Sequence, residues 1–585
     1  MEDNERAGLP PVTGLSGTVE SDRRLVLHWS LDPAYQDYEI HESSVDPDNT
    51  LKATQAASPR TSNPLTARPA PLRYGVRGPT ADGVHGPFGN AVEVLVHASG
   101  GTVTVTDQAF TPANEPGGEP DVGPGTGVTW LTHPDGTPVK IASGGGSAAP
   151  TTAGSVAAIP VSGVVRYTGP TISSVVTLKD RSNLTLVVPE GKMAVGGTLA
   201  FSGSTRNVRL EVHAPYENSN GEPIVRVRGA YDTVTVINSV LGPATRADSP
   251  PTKKSRFVWF GDSASAGSRH GSVVLSTLRN KNGPGNAVHA AGNTEDSTGK
   301  GGVRYTYVGL NWIFGIQPFD ENEHEAALLG LSNMQLTDGQ QLVEGNLFGG
   351  PDVTTHAVAS EPEVISMKMN NSVIRGNTFW NHVGSASLRH GDNGQIVHNN
   401  FRSDNFVDGT GESGTSTHCA GGGRLYGRGH RFASNTVWVM EGKPTQKHER
   451  PFLADSGDVA PGTTSNKHAH VQDLVCEDNL FYRCGNGGGP VFDGENYSVR
   501  ATGTVRNNLV VACPSPGPNG VTVIGTGTSS LQVSGNQIHA TAAAAGVTLD
   551  AAGWPTHTDK GAKAPFLMPT MVGKGGTWRP PGWTG

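Results

Sequence analysis

Val343-Glu344-Gly345-Asn346-Leu347-Phe348 and Val373-Ile374-Arg375-Gly376-Asn377-Thr378-Phe379 repeat one pattern, a short strand that closes on Asn and then apolar residues. The pattern recurs at Ile396 to Phe401, Phe432 to Val437, Leu474 to Phe481, Val505 to Val510 and Leu531 to Ile538. The Asn positions are read as Asn346, Asn377, Asn400, Asn435, Asn479, Asn508 and Asn536, spaced 23 to 44 residues apart. That period is one coil of a solenoid with loops of variable length. An Asn at each turn bonds its own backbone and tolerates left-handed φ, and Asn on successive coils can form a ladder. These Asn residues are therefore structural, and catalytic groups belong on the other sheets and loops.

Composition agrees. Among 585 residues, Gly 79 and Pro 41 with only 16% charged residues describe many short strands and turns, an all-β chain. Upstream strands such as Val175-Val176-Thr177-Leu178, Leu184 to Val188 and Val208 to Val212 would form the first coils. A net charge of -8 argues against a nucleic-acid partner, and a polyanionic ligand would need a local basic cleft. The four cysteines, Cys419, Cys476, Cys484 and Cys513, have no zinc spacing and are too few for a disulfide scaffold.

Between Asn322 and Arg389 charged residues gather among Gly, Ser and Asn. In Glu361-Pro362-Glu363-Val364-Ile365-Ser366-Met367-Lys368 strand alternation places Glu361, Glu363 and Ile365 on one face. Two adjacent carboxylates repel, and a hard cation such as Ca²⁺ would bridge them. Lys368 follows, then Arg389-His390-Gly391. Two cations beside two carboxylates suit β-elimination of a uronic-acid polysaccharide: a metal neutralises the sugar carboxylate, a Lys takes the C5 proton and an Arg serves the leaving oxygen. A solvated ion network is the plain alternative.

The order Glu361, Glu363, Lys368, Arg389, His390, Gly391 resembles the chondroitinase B and alginate lyase family of right-handed parallel β-helix polysaccharide lyases. Asn322, ahead of Glu325-Ala326, takes the place of that family's third metal ligand, and Gly421-Gly422-Gly423-Arg424 resembles its Gly-Gly-x-Arg segment. The resemblance implies Ca²⁺ on Asn322, Glu361 and Glu363, Lys368 as base, Arg389 at the leaving oxygen, and Arg424 with His390 as substrate contacts. Two departures stand out: Met369 where the family usually has Ser, and a longer loop before Glu361.

Residues 1–98 alternate like a fibronectin type III β-sandwich, with Trp29 as core; 99–158, with its Gly/Pro/Ser-rich runs, reads as a linker; 159–540 is the right-handed parallel β-helix; 541–585 is a C-terminal appendage. His468-Ala469-His470 hints at a metal, but two alternating histidines are ordinarily surface residues. The start, Met-Glu-Asp-Asn-Glu-Arg, has no secretory signal and no stretch spans a membrane, so an extracellular or virion-associated lyase carried on a phage tail is expected, as a homotrimer or attached to the virion. The competing expectation is a non-catalytic tail protein or adhesin that grips a surface glycan. A hydrolase is disfavoured, because Glu361 and Glu363, two apart on one strand, cannot flank a scissile bond.

Overall fold

The computed structural model describes the strands within residues 1–127 and, from Val128 on, every residue except 147–148, 215–220, 244–253, 262–267, 282, 292–302, 317–323, 353–354, 359–362, 404–408, 411–416, 419, 440–449, 456, 458–466, 486–487, 494–500, 515, 525–529, 582 and 584–585. The chain divides into Met1–Glu119 and Pro120–Gly585. In the first unit, Ser16–Val19, Arg24–His28 and Arg60–Pro64 make one antiparallel sheet. Leu51–Gln55, Tyr38–Ser43, Leu72–Arg77, Ala91–Val96 and Val103–Gln108 make a second. No helix among the described residues is long and apolar enough to cross a membrane.

The second unit is a parallel β-helix. One sheet stacks twelve strands, from Val175–Lys179 to Thr522–Ile524, each paired in parallel with its counterpart one coil on. Two further parallel sheets, joined through the long strand Thr205–Ala214, complete each coil. Alternation sends one side of each strand inward, and Val288, Ala327, Ile365, Ala386 and Phe452 belong to one continuous buried core. The aromatic rings stack as the coils do: Phe348 on Phe379 at 4.9 Å and Phe379 on Phe401 at 4.6 Å, nearly parallel.

The Asn ladder is present, with one correction. Asn346 Nδ2 donates to Asn377 Oδ1, Asn377 Nδ2 to Asn399 Oδ1, Asn399 Nδ2 to Asn435 Oδ1 and Asn435 Nδ2 to Asn479 Oδ1, all between 2.9 and 3.1 Å. The member at the third position is Asn399. Asn400 opens the next strand, pairs with Thr378 and donates to the Pro565 carbonyl at 3.2 Å. The reason is register: in Asn346-Leu347-Phe348 and Asn377-Thr378-Phe379 the stacked Phe follows the ladder Asn by two places, and Phe401 then selects Asn399. Upstream the row continues through Asn311, whose Oδ1 accepts from the Ser276 N–H at 2.9 Å, a member the sequence reading missed.

These contacts are buried, so their loss is expensive. Asn377 alone donates to the Val343 and Arg375 carbonyls and accepts from both the Asn346 N–H and Nδ2. An Asn377→Ala variant strands several of these groups, each worth roughly 1–3 kcal/mol when unsatisfied. A loss of at least ~3 kcal/mol in chemical denaturation is expected, and a loss under ~1 kcal/mol would show that water substitutes for the ladder.

Two segments run along the outside of the coils on the two sheets that do not carry the candidate site. Residues 128–146, read in the sequence as part of a linker, place Trp130 in a buried cluster, and the Leu131 N–H donates to the Glu344 carboxylate at 2.9 Å. The C-terminal segment passes back over the helix, with the Gly561 N–H on the Asp478 carbonyl, the Leu567 N–H on Thr378 Oγ1 and the Gly573 N–H on the Leu310 carbonyl. The segments meet where Trp578 packs edge-on to Trp130, ring centroids 5.1 Å apart.

Candidate active site

Register in the twelve-stranded sheet brings the predicted cations together. Met367 pairs with Leu388 and Leu388 with Leu425, so Lys368 and Arg389, each one residue past its strand, follow one another on successive coils. The Arg389 N–H donates to the Met367 carbonyl at 2.9 Å. Ser387 pairs with Arg424, which puts Arg424 on the outward row one coil further. Gly391 explains its place in Arg389-His390-Gly391: its φ is +90°, and a Cβ there would lie 2.5 Å from the Met369 carbonyl carbon.

Glu363 does not share a face with Ile365, contrary to the simple alternation. The register shifts between Glu363 and Ile365, so Val364 and Ile365 both enter the core. This β-bulge re-aims the Glu363 carboxylate. Its Oε1 meets Arg389 Nε at 3.3 Å and Arg424 Nη1 at 3.8 Å, and accepts from Ser387 Oγ at 3.1 Å. Burial would raise this carboxyl, but Arg389 first, then Arg424 and Lys368, outweigh it and pull it down to about 2. Glu363 is therefore ionised at neutral pH, the donor type a hard cation takes. The other two expected metal donors, Asn322 and Glu361, lie outside the described residues. Among the described residues no three His, Cys, Asp or Glu gather for a metal, and His468 with His470 makes none.

His390 is buried, and burial first, then Arg389 and Lys368, lower its pKa to about 3, so the ring is neutral. Among the described residues neither of its ring nitrogens nor Arg389 Nη1 has a hydrogen-bond partner. Buried polar atoms are seldom left this way without a use. The departure at Met369 does not touch the site. Its side chain is buried, its Sδ accepts from Gln341 Nε2 at 3.3 Å, and it packs under Gly330 and Gly339. The sequence reading missed Tyr426 and Ser387. Strand alternation past Arg424 would have pointed to Tyr426.

Neutral buried rings also set an acid limit. Burial is the leading cause that holds His133, His270 and His382 near 4 and His390 near 3, against 6.5 when exposed. Between those values the unfolded chain binds more protons, so stability is complete above pH 6.5 and falls as pH drops toward 4. At about 1.4 kcal/mol per pH unit for each ring, the loss is on the order of several kcal/mol. Denaturant midpoints at pH 7 and pH 5 check this, and equal midpoints would contradict it.

Residues 226–512, the stretch that contains Glu363, Lys368, Arg389, His390, Arg424 and Tyr426, match the family model of chondroitinase B. The β-helix is thus similar to the chondroitinase B family of polysaccharide lyases. That similarity supports polysaccharide lyase activity. The fold is also that of a solved family 6 polysaccharide lyase, the alginate lyase AlyGC, at 18% identity and TM-score 0.52, covering 74% of this chain and 59% of that one. The alginate lyase AlyF-OU02 in complex with G6 aligns at 15% identity and TM-score 0.48, covering 70% and 88%. No curated protein matches the chain.

Proposed function

We propose that this lyase cleaves a uronic-acid polysaccharide of alginate, dermatan or capsular type by β-elimination at the Lys368–Arg389 site, outside the cell or on a virion tail. The observation that carries the reading is the convergence of Lys368 and Arg389 on neighbouring coils beside an ionised Glu363, with Arg389 Nη1 and both His390 nitrogens unpartnered among the described residues. Lys368 removes the C5 proton of the uronate at the cleavage point. The electron pair left at C5 forms the C4–C5 double bond as the C4–O bond breaks, and Arg389 Nη1–H donates to the departing oxygen. Arg424 pairs with the sugar carboxylate and His390, neutral, hydrogen-bonds a ring hydroxyl. Glu363, with Glu361 and Asn322, would hold Ca²⁺, which when bound supplies a Lewis acid that neutralises the uronate.

The two-sheet strand order of residues 16–108 supports the fibronectin type III reading of the N-terminal unit, as a spacer for the lyase. The test is ultraviolet absorbance of the conjugated unsaturated uronate on a panel of alginate, dermatan sulfate, capsular and neutral polysaccharides, with calcium and with chelator. A rise on one or more acidic polymers, suppressed by chelator, is expected. No rise on any polymer, together with tight glycan binding, would make the protein an adhesin.

A further inference from the structure

Tyr426 sits at the centre of the site yet is fully buried. The register that places Arg389 beside Lys368 continues to it: the Tyr426 N–H donates to the Leu388 carbonyl at 3.0 Å, so Lys368, Arg389 and Tyr426 follow one another across three coils. The guanidinium carbons of Arg389 and Arg424 lie 5.4 and 4.9 Å from its ring centroid. Arg424 Nη2 donates to its hydroxyl. His468, from the His468-Ala469-His470 segment, stacks on the ring with centroids 4.3 Å apart and planes 19° from parallel. The Tyr426 carbonyl is fixed in turn by His430 Nε2 at 2.7 Å.

Two guanidiniums that share Glu363 Oε1, at 3.3 and 3.8 Å, repel each other, and one shared oxygen sets the direction of each only loosely. The π face of Tyr426 offsets that repulsion, and its hydroxyl gives Arg424 an acceptor in a set direction. We propose that Tyr426 is a positioning residue of this lyase, holding Arg424 for the sugar carboxylate and Arg389 for the leaving oxygen, with His468 stacked on the ring. The inference rests on the lyase reading above and adds residues that touch the catalytic arginines without reaching the substrate.

Tyr426→Phe keeps the ring and removes the hydroxyl; Tyr426→Leu removes both. In the full-length protein the Phe variant should raise KM about tenfold, the loss of one hydrogen bond to a charged group, with kcat within about threefold and Tm unchanged. The Leu variant should also lower kcat about 100-fold, because Arg389 loses its platform and misplacement on that scale costs as much. The Phe variant thus rescues kcat relative to Leu, which a purely structural role would not produce. Wild-type KM and kcat in the Phe variant would overturn the proposal, as would a lower Tm in both variants with unchanged kinetics. If wild type itself yields no unsaturated product, the lyase reading falls on its own account. Polymer affinity then becomes the readout, and equal affinities of wild type and Tyr426→Phe would still overturn the role given to Tyr426.

Discussion

Lys368→Ala is expected to lower kcat about 10³-fold, the typical contribution of a positioned general base, while Tm and the affinity for the polymer stay near wild type. Lys368 is half-buried at the end of Glu363–Met367, and its backbone N–H is held by the Leu329 carbonyl at 2.9 Å, a bond that alanine keeps. The side chain therefore contributes chemistry without carrying the strand. Lys368→Arg should be almost as inactive, because a guanidinium stays protonated and cannot accept the C5 proton. The measurement is initial rate by ultraviolet absorbance at saturating polymer, with thermal unfolding in parallel. Activity within tenfold of wild type in Lys368→Ala would remove Lys368 from the mechanism and leave the reaction to some other base.

Glu363→Ala is expected to fail twice, in stability and in activity. Removing one partner of a buried ion pair leaves the other charge without compensation, at a cost of roughly 3–5 kcal/mol. Here two guanidiniums, Arg389 and Arg424, converge on the carboxylate that would be lost. Glu363→Gln separates the effects: it keeps the shape and an oxygen for Ser387, loses the charge, and should unfold earlier than wild type by a smaller margin while remaining inactive. Chemical denaturation and rate assays on both variants check this, and full activity in Glu363→Gln would show that the negative charge is not needed. The pH arm has a definite sign. With the folded carboxyl near 2 against an ordinary 4.5, Glu363 contributes stability that is complete above pH 4.5 and lost as pH falls through 2.

Much of the fold was legible because it is periodic. Each coil repeats an Asn at a turn, and a row of Asn in the sequence became a row of hydrogen bonds. The one misplaced member, Asn400 for Asn399, came from reading the apolar residue next to Asn without fixing the spacing to the stacked Phe. The site was legible as residue types in order, since Lys368 and Arg389 sit one 21-residue coil apart, a distance that only register converts into contact. Alternation alone misjudged Glu363, because a bulge inserts Val364 into the core and re-aims the carboxylate, and nothing in the residue types announces a bulge. Tyr426 escaped notice for a different reason. Its role comes from neighbours on two other coils, Arg389 before it and His468 after it, and such partners are invisible until loops of unequal length are folded. The packing of residues 128–146 was equally hidden: Gly-rich composition reads as a tether, yet Trp130 sits in a buried aromatic cluster.

The most direct test of the account is the mass of the product. Wild-type protein incubated with a uronate polymer that it degrades should release oligosaccharides one water lighter than hydrolysis would give, each with a conjugated double bond at its new non-reducing end, and Arg389→Ala should release none. Products carrying the full mass of added water, or degradation that persists in Arg389→Ala, would contradict β-elimination at this site.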